Sequence, residues 1–267
     1  MQLIGLPIPA ICVIGVTALY GLLVRWLFRR RLDLRLAWLA FATSAGLVAV
    51  VLAGIFFSGI DHGFAELLFG NLQAATDFAT MFRLALIYAA LPEEAVKIGV
   101  VVGLLLWLGR WQKYRSDPAE MLLYSALGFA VCESLLYVVA FGAMPQFQSH
   151  LVAFAATRGI FGGLIHALLG MVAGCLLAWR WQSSQRWFWL ILAYAIAVLL
   201  HAGFDGSLLI LVFHGLNRKA DIVPAEAARL VLPLLASGFA LLVLAIVGLV
   251  CSRRFEAPVT EKAEGAV

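Results

Sequence analysis

Eight side chains that can carry charge lie inside long apolar runs of this 267-residue chain. A charged side chain at mid-bilayer costs about 2.5–3.5 kcal/mol on insertion scales, and such residues persist where they pair around a functional cavity. Carboxylates and imidazoles brought together in this way can activate water, relay protons or bind a divalent cation. The eight residues are Glu93, Glu94, Lys97, Glu133, Arg158, His166, His201 and Asp205.

The spacing of these residues indicates which of them act together. His201 and Asp205 are four residues apart, about one helical turn, so the Asp205 carboxylate can hold the His201 ring in one tautomer. Glu93 and Lys97 share a helix face in the same way. Adjacent residues on a helix diverge by about 100°, so only one of Glu93 and Glu94 can face a given water molecule.

The formal charge of this set is not balanced. Its four acids and two bases leave a net charge of −2 when both histidines are neutral. A low-dielectric helix bundle does not tolerate such a charge without compensation. Two additional protons or one divalent cation would supply the compensation, and the sequence leaves both alternatives open.

The composition shows which elements must position these groups. Apolar residues make up 64% of the chain and charged residues 13%, with a mean hydropathy of +0.99. Soluble domains are nearer half apolar and a quarter charged. The composition therefore excludes a soluble globule, a disordered chain, a disulfide scaffold and a nucleic-acid-binding module. It predicts an all-α polytopic membrane protein that sits as a multi-pass protein in the lipid bilayer.

Seven apolar runs are long enough to cross the hydrocarbon as helices. The loops and helix ends on one side of the membrane contain 13 lysines and arginines, and those on the other side contain 4. Because cytoplasmic loops carry the excess of basic residues, this predicts an external N-terminus and a cytoplasmic C-terminus. We expect one transmembrane domain over 1–252, a disordered cytoplasmic tail over 253–267, and an outer segment, Asp61–Thr80, lying in or dipping from the interface. The predicted spans are Leu3–Phe28, Leu36–Ile60, Met81–Leu108, Met121–Met144, Leu151–Trp179, Trp187–Phe213 and Leu230–Cys251.

Four of the ionisable residues lie at similar depths in their predicted spans. Glu93, Glu133, His166 and His201 each follow the start of their span by 12 to 15 residues. At roughly 1.5 Å per residue, these positions fall about 18–22 Å along each helix, near the midplane of the bilayer. Four separate helices are therefore expected to bring two acids and two imidazoles to one level.

Four motifs, in order and on successive predicted helices, resemble those of the PrsW family of intramembrane proteases. The related CAAX-processing and bacteriocin-immunity membrane proteins have arginine at the end of the first motif and histidine at the end of the second. Lys97 and Glu133 therefore favour the PrsW family. The resemblance covers roughly Leu84–Leu211, with a catalytic core of about 84–211. The motifs are E-E-x-x-K within Pro92–Lys97, F-x-x-x-E over Phe129–Glu133, H-x-x-x-G over His166–Gly170, and His201–Asp205.

The resemblance implies an endopeptidase of the cell (inner) membrane that cuts another membrane protein near or within the bilayer. In the best-known members, the substrate is a single-span anti-sigma factor, and this site-1-type cut begins regulated proteolysis. The sequence itself identifies neither the substrate nor the oligomeric state.

Hydrolysis in this setting needs a general base for water and donors for the oxyanion. We expect Glu93 or Glu94 to be the base and the other glutamate to pair with Lys97 or Arg158. His201, oriented by Asp205, and His166 would donate hydrogen bonds or bind a metal. The candidate catalytic residues are thus Glu93, Glu94, Glu133, His166 and His201, supported by Lys97, Arg158 and Asp205.

A cofactor is not required by this preferred mechanism, but a divalent metal such as zinc is an alternative. Its candidate ligands are His166, His201 and Glu133, on separate helices, because the zinc-protease signature H-E-x-x-H is missing. Two other functions compete with proteolysis. A proton- or cation-coupled transporter also places acids and histidines at mid-membrane, although no clear internal repeat is present. A non-catalytic immunity or scaffold protein would keep the motifs for folding alone.

Overall fold

The computed structural model describes residues 7–27, 34–57, 78–108, 117–142, 149, 151–181 and 183–217, together with several positions between 238 and 250. Every regular element in these ranges is helical, which confirms the all-α prediction for this part of the chain. The helices are α1 (Pro7–Leu27), α2 (Leu34–Phe57), α3 (Phe78–Ala85), α4 (Leu91–Leu108), α5 (Asp117–Gly142), α6 (Leu151–Thr157), α7 (Gly163–Arg180) and α8 (Arg186–Asn217).

Three helical stretches in the described ranges are long and apolar enough to cross a membrane: Pro118–Val139, Leu151–Arg180 and Arg186–Leu208. Two shorter apolar helices cover Pro7–Leu22 and Arg35–Ala49. The chain is therefore built as a helical membrane protein, while the count of seven spans and the orientation stay predictions. Most of the predicted span Leu230–Cys251, residues 61–77 of the outer segment and the tail over 253–267 lie outside the described residues.

Helix α5 is the central element of the bundle. It packs against α1, α2, α4 and α7, while α8 packs against α3 and α7. The largest apolar core lies among α2, α4, α5, α7 and α8 and contains little besides aliphatic side chains. Its fully buried members include Ala40, Val101, Met121, Leu122, Ala173, Leu177 and Ala197.

Small residues let the helix backbones approach closely around α5. A Cβ atom on Gly128 would lie 2.1 Å from the Phe41 carbonyl oxygen, and one on Gly174 would lie 2.8 Å from the Ala119 Cα atom. Neither position has room for a side chain. Membrane helices associate through such small-residue contacts, because lipid tails provide no hydrophobic driving force between helices. The glycines thus fix α5 against α2 and α7.

Two π-helical segments interrupt the helices that carry the ionisable residues. The first, Leu86–Ala90, joins α3 to α4 and lies just before Pro92. Because proline lacks an N–H group and its ring clashes with the carbonyl four residues earlier, the regular ladder cannot continue through it. The Leu91 N–H instead donates to the Leu86 carbonyl. The second segment, Arg158–Gly162, joins α6 to α7.

Tyrosine hydroxyls from other helices bind carbonyl groups at these irregular places. Tyr194 of α8 donates to the Leu91 carbonyl at 2.9 Å, and Tyr20 of α1 donates to the Ile160 carbonyl at 2.7 Å. Backbone polar groups in a bilayer need partners within the protein. The two tyrosines therefore stabilise the segments from which the charged side chains project.

Candidate active site

The first two turns of α4 carry three of the predicted site residues, Glu93, Glu94 and Lys97. Lys97 is 1% exposed, and its Nζ atom lies 2.5 Å from Glu94 Oε1 and 3.9 Å from Glu93 Oε2. The same ammonium group lies over the ring of Phe129 of α5, and Lys97 Nζ is 4.7 Å from the ring centroid. Glu94 is thus the glutamate that pairs closely with Lys97, an assignment that the sequence left open.

Helix α8 brings His201 and Asp205 to this turn. His201 Nδ1 lies 2.9 Å from Glu94 Oε1, and its Nε2 lies 3.2 Å from Asp205 Oδ2. Both ring nitrogens therefore face carboxylate oxygens, an arrangement in which each nitrogen can donate a hydrogen bond. The contact with Asp205 is the one expected from the four-residue spacing, whereas the contact with Glu94 arises only from helix packing.

Three more site residues meet where α5, the second π-helical segment and α7 come together. Glu133 accepts a short hydrogen bond from Arg158 through Oε1, and its Oε2 lies 3.0 Å from His166 Nε2. The other nitrogen of this ring, His166 Nδ1, lies 2.9 Å from Lys97 Nζ. Because an ammonium group can only donate, Nδ1 accepts and Nε2 donates to Glu133.

These contacts join seven of the eight predicted residues into one continuous chain. The ends of the chain are the partly exposed side chains of Arg158 (25%) and Asp205 (28%), and its interior is buried. The rings of His166 and His201 lie edge to face with centroids 5.3 Å apart. In order, the chain runs through Arg158, Glu133, His166, Lys97, Glu94, His201 and Asp205.

Glu93 is the eighth residue and lies beside this chain. Its Oε2 atom is buried, has no hydrogen-bond partner among the described residues, and lies 3.6 Å from His201 Nε2. Its side chain is 17% exposed, compared with 2% for Glu94. A buried carboxylate oxygen without a donor is rare, because desolvation is then uncompensated. Among the buried carboxylate oxygens of this cluster, Glu93 Oε2 is the one without a hydrogen-bond partner in the described part of the chain, and it is open to a further ligand.

Glu93, His166 and His201 form a group that fits a divalent metal. Their ligand atoms all lie within 4.8 Å of one another, and one carboxylate with two imidazoles is a ligand set of catalytic zinc sites. The unpartnered Glu93 Oε2 atom supports this fit. The group differs in one member from the predicted set: it contains Glu93 in place of Glu133, which binds Arg158 and His166 through its two oxygens.

A comparison of the sequence with models of known protein families agrees with a protease site of this kind. A family model described as PrsW family intramembrane metalloprotease matches residues 34–250. The chain belongs to the PrsW family. The PrsW match extends well beyond the stretch that carries the four motifs. It shows that the chain is an intramembrane protease, which favours proteolysis over the transporter and scaffold alternatives. No match is found among curated proteins or among solved structures.

Sequence reasoning missed two residues that adjoin this PrsW site. Tyr137 lies one helical turn beyond Glu133 on α5, and the Arg158 guanidinium lies 4.4 Å from its ring centroid. Tyr194 binds the backbone just ahead of Glu93. The four-residue step from Glu133 could have indicated Tyr137, but no motif marks Tyr194, which contributes through tertiary contact alone.

Proposed function

We propose that this protease hydrolyses a peptide bond of a membrane-protein substrate with water activated by Glu93. The observation that supports the proposal is the unpartnered Glu93 Oε2 atom, which lies beside two imidazoles in a cluster where the other carboxylates are bound. A general base needs such an oxygen, since it must accept a proton from water. Glu94 is less suited to this role because it already accepts from Lys97 and His201.

The surrounding residues supply the rest of the reaction. Glu93 takes a proton from water as the water oxygen attacks the carbonyl carbon. His201 keeps its Nδ1 on Glu94, and its Nε2–H group, which lies 3.2 Å from Asp205 Oδ2 in the free protein, is shared with the oxyanion that develops. When the C–N bond breaks, the leaving amine receives the proton that Glu93 accepted. Glu133 orients the His166 ring, as Glu94 and Asp205 orient the His201 ring, so both rings stay in place through these steps.

The family description implies a metal, and residues of the same cluster would be able to hold one. Glu93, His166 and His201 would hold it, and it would supply Lewis-acid polarisation of the water and the carbonyl. Both ring nitrogens of His166 make hydrogen bonds, to Lys97 and to Glu133. Metal binding through His166 would therefore replace one of these two contacts.

The substrate that we propose is a single-span membrane protein of the inner membrane, cut near or within the bilayer. An anti-sigma factor cleaved in a site-1-type step is the leading candidate, and this rests on the family resemblance. A cluster whose interior is buried but whose two ends are partly exposed suits a peptide that reaches it at one of these ends.

The direct experiment is incubation of the purified protein in detergent with candidate single-span substrates. We expect wild type to cleave one of them and Glu93→Gln to be inactive, with new termini identified by mass spectrometry. Glu120→Gln is the matched control, because it makes the same substitution at a glutamate away from the cluster. Glu120 is buried on α5 (4% exposed) and lies 13 residues before Glu133, about 20 Å along the helix.

A chelator separates the two forms of the mechanism. Activity that survives the chelator indicates glutamate chemistry alone, whereas activity that is lost and then restored by zinc indicates the metal-dependent form. Undiminished cleavage by Glu93→Gln would contradict the proposed role of this residue. Loss of activity in Glu120→Gln as well would show that the assay reports folding and not chemistry.

A further inference from the structure

The connection between α7 and α8 gathers two arginines and four tryptophans at one end of the bundle. The helices end and begin at Arg180 and Arg186, and only a short turn separates them. Within that turn the Ser183 N–H and hydroxyl both donate to the Arg180 carbonyl, at 2.9 and 2.8 Å. The tryptophans are Trp179, Trp181, Trp187 and Trp189.

Each guanidinium lies against two indole rings. The Arg180 guanidinium carbon is 4.8 Å from the ring centroid of Trp179 and 5.6 Å from that of Trp189. The Arg186 guanidinium carbon is 5.9 Å from Trp181 and 5.3 Å from Trp187. Cation–π contacts of this kind hold the planar groups in place and leave their N–H edges available for acceptors.

The arginines and one tryptophan lack anionic or hydrogen-bonding partners in the described ranges. No ion pair joins Arg180 or Arg186 to a carboxylate there, and residues 134–204 contain neither aspartate nor glutamate. The Arg180 Nε and Trp189 Nε1 atoms are buried without an acceptor among described residues. Two cations without a counter-ion and two donors without an acceptor on one short connection favour an anionic ligand from outside the chain.

We propose that this connection is a binding site for the phosphate of an anionic lipid headgroup. The site lies at the ends of two helices that are long and apolar enough to cross a membrane. Trp179 and Trp187, each 47% exposed, and Phe188, 61% exposed, are placed where acyl chains can contact them. Tryptophans are enriched at the membrane interface, and basic sites between membrane helices recognise anionic lipids.

The predicted orientation agrees with this ligand. The lysine and arginine bias places the α7–α8 connection on the cytoplasmic side, where anionic phospholipids attract basic residues. A free phosphate ion offers the same oxygens but no acyl chain, so the exposed aromatic residues would add nothing to its binding. The proposal therefore commits to a lipid and is independent of the proteolytic mechanism.

The experiment is native mass spectrometry of the full-length protein in detergent, titrated with phosphatidylglycerol or with phosphatidylcholine. We expect wild type to bind phosphatidylglycerol more tightly. Arg180→Gln combined with Arg186→Gln should lose about fivefold in affinity per arginine removed, while phosphatidylcholine binding does not change. Arg83→Gln is the control, since it removes an exposed arginine elsewhere, in the last turn of α3.

Trp189→Phe provides a second variant that keeps an aromatic ring and removes only the N–H donor. It should weaken phosphatidylglycerol binding by a few fold without altering the thermal unfolding of the protein. Equal affinity of wild type for both lipids would overturn the proposal. So would unchanged lipid binding in the double variant, or displacement of phosphatidylglycerol by millimolar inorganic phosphate, since a site for free phosphate needs no lipid.

Discussion

Glu93 and Glu94 are neighbours in the sequence, but the fold places them in different surroundings. Glu94 Oε1 accepts from Lys97 at 2.5 Å and from His201 at 2.9 Å, so this one oxygen holds two donors from different helices. Glu93 keeps one buried oxygen without a donor and is the more exposed of the two. We therefore propose separable functions for the adjacent carboxylates: Glu94 holds the cluster together, and Glu93 meets the water or a metal.

Substitution of the two glutamates should separate activity from stability. Glu93→Gln should lower the cleavage rate by about 10²–10⁴-fold with little change in Tm, because it breaks no close hydrogen bond. Glu94→Gln should destabilise the protein by about 3–5 kcal/mol, because it removes the close anionic partner of the buried Lys97 and leaves only Glu93, whose Oε2 atom lies 3.9 Å away. Cleavage rates and thermal unfolding of both purified variants test this, and equal losses of Tm would argue against it.

Glu133 is expected to act through the His166 ring. Its carboxylate fixes His166 Nε2 at 3.0 Å and binds Arg158 on the other oxygen. Glu133→Gln keeps the shape but removes the charge that orients the imidazole, and should reduce activity by about 10–100-fold. Activity measured alongside zinc affinity checks the prediction. A variant with wild-type activity would show that the orientation of His166 does not depend on this contact.

At the scale of elements, the two π-helical segments determine where the charged side chains point. Leu86–Ala90 precedes Glu93 by only a few residues, and Arg158–Gly162 begins at a residue of the cluster itself. A π-helical turn adds a residue to the helix and so rotates everything that follows it. Tyr194 and Tyr20 bind these segments from other helices and keep the rotation fixed.

Removal of the Tyr194 hydroxyl should therefore affect catalysis as well as folding. Tyr194→Phe loses the 2.9 Å hydrogen bond to the Leu91 carbonyl and should cost about 1 kcal/mol of stability. Because Leu91 lies two residues before Glu93, kcat should fall as well. Tyr20→Phe is the comparison: it removes a similar bond to Ile160, and we expect a similar loss of stability with a smaller loss of kcat. The reverse order of the two kcat values would contradict this account.

Close contact between α5 and α2 gives a prediction about stability alone. Gly128→Ala places a methyl group 2.1 Å from the Phe41 carbonyl oxygen and should destabilise the bundle by about 1–3 kcal/mol. Gly99→Ala is the control, because nothing lies within 4 Å of its Cβ position, and it should stabilise α4 by up to about 1 kcal/mol. Thermal unfolding in detergent measures both. A tolerated Gly128→Ala would mean that the helices are not held this closely.

At the scale of the whole molecule, apolar run length and motif spacing predicted much of what the structure shows. Six predicted spans overlap described helices, for example Leu3–Phe28 with Pro7–Leu27. The similar depths of Glu93, Glu133, His166 and His201 in their spans predict that these residues lie close together. In the structure, ligand atoms of Glu93, His166 and His201 lie within 4.8 Å of one another, and Glu133 Oε2 lies 3.0 Å from His166 Nε2. Run length and the four-residue rule carry this information because both depend only on regular helix geometry.

The four-residue spacing predicted the contact of His201 with Asp205 on one helix, but the sequence did not predict which charged groups pair between helices. Pairing depends on the rotation of each helix about its axis, and backbone contacts at Gly128 and Gly174 set this rotation together with the π-helical segments. For this reason Glu133 was expected among the metal ligands, whereas the structure groups Glu93 with the two histidines. Motif spacing describes residues on one helix, whereas the three residues of the metal group lie on three different helices.

The most direct test of the central claim is a comparison of membrane-protein termini in living cells. Cells lacking the native gene would produce wild type, Glu93→Gln or Glu120→Gln at equal levels, and mass spectrometry would quantify new N-termini near or within membrane spans. We predict a set of termini present with wild type and Glu120→Gln and absent with Glu93→Gln. The same termini at undiminished levels in Glu93→Gln would contradict hydrolysis at this site.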